Sequence, residues 1–307
     1  MRILLLGSNG YIGSYLRSKL GSEYELTCVD TCWFNVPHNK CLEEDYRNLD
    51  ESFLSKFQVV ILLAGHSSVK MCEGAFSNAF ENNVTNFINL LGKLKKQKLI
   101  YASSSSVYGS VGGRTVTEKF YNFKPYNQYD ISKHTIDLYA EKSNIEYYGL
   151  RFGTVNGYSP IMRNDVMINA MTTSALDNGE IKLYIKDIMR PILGIEDLYR
   201  SVKCIIDSKE DLRGLYNLAS FNKTAEQIAY EVSEVVEKPV VEYEVDPTQV
   251  SNTKSQTKTY NFSISTRKFE KAFNYKFQES VESITRSIVD NYSSIVQTTR
   301  KNIQKYV

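Results

Sequence analysis

The sequence predicts an α/β fold: a doubly wound parallel sheet covered by helices on both faces, with a smaller, partly interleaved C-terminal lobe. Three observations carry this. Short apolar runs alternate with helix-periodic segments up to residue 152, the pattern of strand–helix–strand units with right-handed crossovers. A glycine-spaced turn, GSNGYIG, falls between the first apolar run and the first helical segment. Beyond residue 152 the alternation gives way to helices separated by short strands.

Taken in order, RILLLG (2 to 7), YELTCVD (24 to 30), VVILLAG (59 to 65), KLIYASS (98 to 104) and IEYYGLRF (145 to 152) are near-continuous apolar runs of strand length, expected of strands buried on both faces. Helices are expected near 11 to 20, 77 to 95 and 129 to 143. Residues 1 to 152 thus read as one nucleotide-binding domain. Residues 153 to 307 read as the second lobe, with a segment at about 190 to 220 returning to the first domain. Its helices are expected near 164 to 177, 196 to 208, 224 to 236 and 279 to 292, and its strands at IKLYI (181 to 185), GLYNL (214 to 218) and VVEYEV (240 to 245). The polar run TQVSNTKSQTKTYN, 248 to 261, reads as an exposed loop.

Composition narrows the partners. The 37 basic and 35 acidic residues leave a net charge of +2, with no electrostatic footprint for nucleic acid or an anionic membrane. The apolar run ahead of Gly7 is too short for a secretory signal, and no stretch reaches the roughly 20 apolar residues of a membrane span, so a cytoplasmic location is expected. The five cysteines, at 28, 32, 41, 72 and 204, lack paired metal-ligand spacing; reduced thiols and no metal are expected.

GSNGYIG places Gly7, Gly10 and Gly13 where a strand turns into a helix, which lets backbone N–H groups and the helix N-terminus approach a pyrophosphate. The second strand ends in Asp30, whose carboxylate suits the ribose hydroxyls of an adenosine and repels a 2′-phosphate. A Rossmann-type domain binding NAD rather than NADP is expected.

The segment YNQYDISKH, 126 to 134, sets Tyr129 and Lys133 one helical turn apart on the same face. Bringing a phenol from ~10 to near neutral requires about 4 kcal/mol, and one ammonium at ~4 Å supplies on the order of that at an effective dielectric of about 20. The pair therefore reads as a tyrosinate base with its activating cation. YASSSSVYG, 101 to 109, ends another strand in four serines at the sheet edge where ligands bind. His66 lacks a nucleophile elbow and an orienting acid, and reads as a loop histidine with satisfied hydrogen bonds.

Together GSNGYIG, Asp30, LAGHSS, ENNVTNFINLL, SSSSVYG, YDISK and RPILGIEDL resemble the extended short-chain dehydrogenase/reductases, in the group of NAD-dependent nucleotide-sugar epimerases and dehydratases, over nearly the whole chain. The resemblance implies Tyr129 as base, Lys133 as its partner at the nicotinamide ribose, and Ser104, five residues before Gly109, as the catalytic hydroxyl. It implies a cofactor surface of Gly7, Asn9, Gly10, Tyr11, Ile12, Gly13, Asp30, Leu63, Ala64 and Gly65, completed by Tyr129 and Lys133. A nucleotide-diphosphate sugar is the implied substrate, met by Asn83, Ser104, Ser105, Thr154, Arg163 and Arg190, the last at the diphosphate.

Ser105 and Ser106 stand where the family's 4,6-dehydratases carry Asp and Glu, which speaks against dehydration. The implied activity is redox modification at C4: foremost epimerisation through a 4-keto sugar, with 4-ketoreductase, C4 oxidase and non-catalytic NAD-binding regulator as alternatives. Relatives dimerise through the helix carrying YxxxK and the one before it, so a homodimer is expected, with Phe87, Leu90, Leu91 and Leu94 as a candidate stripe.

Overall fold

The computed structural model describes residues 1–33, 41–73, 76–121, 124–244 and 260–295. Most of the polar run 248 to 261 lies outside them, as does the last residue of the strand expected at 240 to 245.

Seven parallel strands form the central sheet, in the spatial order Gly214–Leu218, Tyr147–Phe152, Lys98–Ser104, Val59–Leu62, Arg2–Leu6, Glu25–Asp30, Cys41–Glu43. Chain order reverses between Arg2–Leu6 and Val59–Leu62, which opens the crevice where such sheets bind ligands. The apolar runs are buried on both faces: Ile3, Leu4, Leu5 and Leu6 are wholly inaccessible, packing against one cluster on each side of the sheet. Helices Tyr11–Leu20 and Ile195–Asp207 lie together on one side; Asn86–Lys93 and Gln128–Lys142 lie together on the other.

The helix expected over 77 to 95 is broken. Phe76–Phe80 and Asn86–Lys93 are α-helical, with a π-helical turn, Glu81–Thr85, between them. Its Phe87, Leu90 and Leu91, with Leu94 beyond the end, are buried against the sheet of their own domain. The candidate dimer stripe is thereby spent internally. Among the described residues, exposed apolar side chains on this side include Ile131, Leu138 and Tyr139 of Gln128–Lys142, together with Phe80.

The strand Gly214–Leu218 pairs residue for residue with Tyr148–Phe152, so the chain re-enters the first sheet after building part of the second lobe. That lobe holds a three-stranded sheet, in which Met189–Gly194 runs antiparallel to Phe221–Thr224 and parallel to Thr154–Asn156. Helices Met167–Asn178, Ala225–Val236 and Val281–Asp290 pack together beside it.

Asp197, wholly buried in the first turn of Ile195–Asp207, accepts the N–H groups of Gln278 (3.1 Å) and Glu279 (2.8 Å) and the Ser220 hydroxyl (2.6 Å), tying the last third of the chain to this helix. Glu279 returns a carboxylate oxygen to the Asp197 N–H at 2.9 Å. Burial pushes the Glu279 carboxyl up to about 7, from an ordinary 4.5. The native state thus keeps a proton that the unfolded chain releases in that window. This contribution to stability is complete below the unfolded value and is lost as pH rises through 7. Glu279→Gln keeps the acceptor oxygen without the charge, so it should exceed the wild type at pH 8 by up to about 3 kcal/mol and show no gain at pH 4. Urea denaturation at the two pH values reads the difference, and equal midpoints at pH 8 would refute it.

Candidate active site

The nucleotide end begins where Arg2–Leu6 turns into Tyr11–Leu20. Gly7 has φ +88°, and a Cβ there would stand 2.5 Å from the Ala64 nitrogen; one at Gly13 would stand 2.0 Å from the Gly7 carbonyl oxygen. Both glycines are therefore demanded by backbone contact, and the turn lies directly against Leu63 and Ala64. The helix that follows starts at Gly10 with no side-chain cap, leaving its first N–H groups for an anion. Asp30 is fixed at its strand end by the N–H groups of Asn9 (2.8 Å) and Cys32 (2.7 Å). An uncapped helix start, glycines without room for a side chain and a carboxylate facing the turn fit a dinucleotide: Gly7 to Gly13 at the pyrophosphate, Asp30 at the ribose, Leu63 to Gly65 along the wall. Tyr11 does more than border this turn, because its buried hydroxyl donates to the Gly157 carbonyl at 2.8 Å and joins the turn to the second lobe.

The chemical end is built on Lys98–Ser104 and Gln128–Lys142. Asn127 caps the helix by accepting the Asp130 N–H at 3.0 Å, a bond worth about 1 kcal/mol, and this holds Tyr129 in the first turn. The four serines take four separate roles. Ser103 donates to Asp137 at 2.9 Å; Ser104 lies near Tyr129 and 2.8 Å from the Ser106 oxygen; Ser105 is buried; Ser106 lies near Asp130.

Lys133 does not sit against the phenol oxygen. Its ammonium donates to the Ala102 carbonyl at 2.7 Å and lies 5.7 Å from the centre of the Tyr129 ring. Burial pushes Tyr129 up to about 12, against the lowering effect of the nearby Ser104 hydroxyl, and burial pulls Lys133 down to about 8. The expected approach of the ammonium to about 4 Å from the phenol is not seen here, where Lys133 turns to the Ala102 carbonyl and desolvation of the ring sets the direction of the shift.

Beneath these residues, Asp137 and Arg151 form a buried ion pair at 2.8 Å, with Tyr101 (3.0 Å) and Ser103 donating to the carboxylate and the guanidinium donating to the Tyr108 hydroxyl at 2.9 Å. Asp137 also raises the proton affinity of Lys133. Neither residue stood out in the sequence, where each reads as an ordinary charged position.

The expected substrate residues divide. Arg190 is half-buried with its guanidinium 5.7 Å from the centre of the Tyr260 ring, and among the described residues it makes no ion pair with Asp187 or any other carboxylate. Arg163 forms a two-bond pair with Asp165 (2.9 and 2.8 Å) and lies close enough to Tyr129 to lower its proton affinity. Thr154 is half-buried on its strand. Asn83 bonds within the protein: its side-chain oxygen accepts from the His66 N–H (2.8 Å) and its amide donates to the His66 carbonyl and Ser132 hydroxyl (both 3.1 Å). Its polar atoms are thus engaged in pinning the 63–66 loop to the Tyr129 helix. His66 is itself buried, as a satisfied loop histidine should be. Asn156, wholly buried, accepts the Ile168 N–H at the start of the next helix.

The sheet order, the glycine turn and the strand-end carboxylate define a dinucleotide-binding α/β protein. The family model described as "NAD dependent epimerase/dehydratase family" matches residues 3–219. The chain belongs to that family and is an NAD-dependent enzyme.

Among curated proteins it is 27% identical over 233 residues to Protein CapI of Staphylococcus aureus, covering 67% of this chain and 69% of that one. The UDP-glucuronic acid 4-epimerase of Bacillus cereus, solved with UDP-glucuronic acid and NAD, superposes with a TM-score of 0.80 at 21% identity, over 95% of this chain and 99% of that one. The NAD-dependent NDP-hexosamine 5,6-dehydratase TunA does so with a TM-score of 0.80 at 20% identity, over 96% and 98%. At these identities the solved structures establish the shared fold. No helix among the described residues is long and apolar enough to cross a membrane.

Proposed function

We propose that this protein epimerises a nucleotide-diphosphate sugar at C4 through a 4-keto intermediate. The observation that carries the reading is the meeting of Tyr129, Ser104 and Lys133 at the carboxyl end of one strand, with serine at both 105 and 106. Bound NAD supplies the hydride acceptor and donor. Tyr129 takes the proton of the C4 hydroxyl and returns it to that oxygen after the sugar has turned. Ser104, beside Tyr129, orients the C4 hydroxyl for transfer. Lys133, with its charge supported by Asp137, favours the tyrosinate form. Arg190, a half-buried guanidinium with no carboxylate partner among the described residues, suits a diphosphate. The solved B. cereus relative binds a UDP-sugar, which supports the substrate class.

The test supplies purified protein with catalytic NAD and a panel of UDP-, GDP-, CDP- and dTDP-sugars, followed by NMR. Turnover of many sugars per NAD supports epimerisation; product only in proportion to added NAD or NADH replaces it with a one-way redox reaction. A second expectation concerns assembly. The exposed Ile131, Leu138 and Tyr139 offer an apolar face for a homodimer, and Leu138→Glu should convert the dimer to a monomer in light scattering at micromolar concentration. A wild-type monomer would remove it.

A further inference from the structure

Tyr260 comes from the last part of the chain and touches both halves of the site. It opens a well-held segment. The Asn261 carbonyl accepts the N–H groups of Val111 (3.2 Å) and Gly113 (2.9 Å), its side-chain oxygen accepts the Met189 N–H at 3.1 Å, and Ser263–Ile264 pairs with Thr115–Val116. This sets the Tyr260 ring beside Arg190, the neighbour of Met189, with the guanidinium carbon 5.7 Å from the ring centre. The Tyr126 ring packs against it, with 5.6 Å between centres.

The hydroxyl of the same side chain meets the helix that carries Tyr129. It donates to Asp130 Oδ2 at 2.6 Å and accepts from the Asn127 amide at 2.6 Å; that amide also donates to Asp130 Oδ2 at 3.1 Å. Asn127 already caps the helix by accepting the Asp130 N–H, so the cap needs no carboxylate at 130. One stands there nonetheless, wholly buried, and burying it is costly unless donors meet it. The Tyr260 hydroxyl is a donor brought to it from 130 positions away. Resting on the readings of Tyr129 as the base and Arg190 as the partner of the diphosphate, we propose that Tyr260 is a positioning residue for both. Its ring holds the Arg190 guanidinium in place for the diphosphate, and its hydroxyl, through Asp130 and Asn127, fixes the helix turn that presents Tyr129. One side chain thereby registers the two reacting regions of the substrate, diphosphate and C4, against each other. A ring face attracts a guanidinium and leaves its N–H groups to the ligand, whereas a carboxylate in that place would occupy them and repel the diphosphate.

Two substitutions separate the roles. Tyr260→Phe keeps the ring face and removes the hydroxyl; Tyr260→Leu removes both, with Tyr260→Met in its place if that variant folds poorly. The NAD-loaded protein is titrated by calorimetry with UDP, GDP, CDP and dTDP, and the tightest binder is used thereafter. Amide hydrogen exchange of residues 126–134 is followed by mass spectrometry on the same preparations. Tyr260→Phe should bind the nucleoside diphosphate within ~2-fold of the wild type and Tyr260→Leu ~3- to 30-fold more weakly, the span of a guanidinium–ring contact. Both should raise exchange at the helix start. In turnover, Tyr260→Phe should lower kcat by ~10-fold with KM unchanged, because a displaced base costs rate and not ground-state binding. Tyr260→Phe binding as weakly as Tyr260→Leu, Tyr260→Leu binding as tightly as the wild type, or unchanged exchange in Tyr260→Phe overturns the proposal. A residue that merely stabilised the fold would move affinity and exchange together in both variants. If the wild type binds none of the four diphosphates, the reading of Arg190 falls and the proposal with it. Titration and exchange need no sugar, so failure of the sugar panel leaves both results standing.

Discussion

Tyr129→Phe should lower turnover by at least ~10²-fold while leaving NAD binding in place, since the change removes one hydroxyl and keeps the ring. The expected loss is large because nothing nearby replaces the group. Ser104 carries a hydroxyl of much higher pKa, and Lys133 is engaged with the Ala102 carbonyl. The phenol stands at about 12 in the ligand-free protein, so reaching neutrality means a stabilisation of about 7 kcal/mol. A cation at the observed 5.7 Å from the ring contributes on the order of 3 kcal/mol at an effective dielectric of about 20. The remainder must come from the Ser104 hydroxyl and from charge brought in on binding, so the base should form only in the assembled complex. Turnover and NAD retention measured on one preparation check this; near-normal turnover would remove Tyr129 from its role.

Arg151→Met should destabilise the protein by about 3–5 kcal/mol, the usual cost of stranding one member of a buried ion pair. Both side chains are almost completely enclosed, at 3% and 1% exposure. Removing the guanidinium leaves Asp137 with two neutral donors and no ion-pair partner, and deprives the Tyr108 hydroxyl of its donor. Asp137→Asn in the same background should recover part of the loss, because it withdraws the stranded charge. Chemical denaturation of the wild type, Arg151→Met, Asp137→Asn alone and the double variant gives the cycle. A single-variant loss below ~1 kcal/mol would place the pair among those that contribute little.

What the sequence disclosed, and what it did not, follows from where each partner sits. Gly7, Gly10 and Gly13 were legible because a strand-to-helix turn makes a local demand on the backbone, and Tyr129 with Lys133 because a helix brings residues a turn apart onto one face. Asp137 and Arg151 escaped notice because the carboxylate lies on a helix and the guanidinium on a strand, and only the folded chain brings them together. Asp130 was hidden for the same reason: its partner Tyr260 is 130 positions away. Asn83 was placed at the substrate by its position in the family resemblance, whereas its three bonds in this structure are internal. The π-turn at Glu81–Thr85 was missed because its apolar spacing continues the helical pattern on either side. The short strands Thr154–Asn156 and Met189–Gly194 were missed because their ladder partners are remote in sequence.

The return of Gly214–Leu218 to the first sheet bears on how this molecule could be re-engineered. Cutting after Phe152 would strip the Tyr147–Phe152 strand of a neighbour and expose five residue pairs' worth of open ladder, a template for aggregation. It would also remove Asn217, which accepts the Tyr108 hydroxyl at 2.6 Å and so steadies the ring on which Arg151 rests. A graft of a foreign sugar-binding half must therefore bring its own seventh strand. Modularity in this chain runs through loops and single pocket residues, and the lobe as a whole is not an exchangeable part.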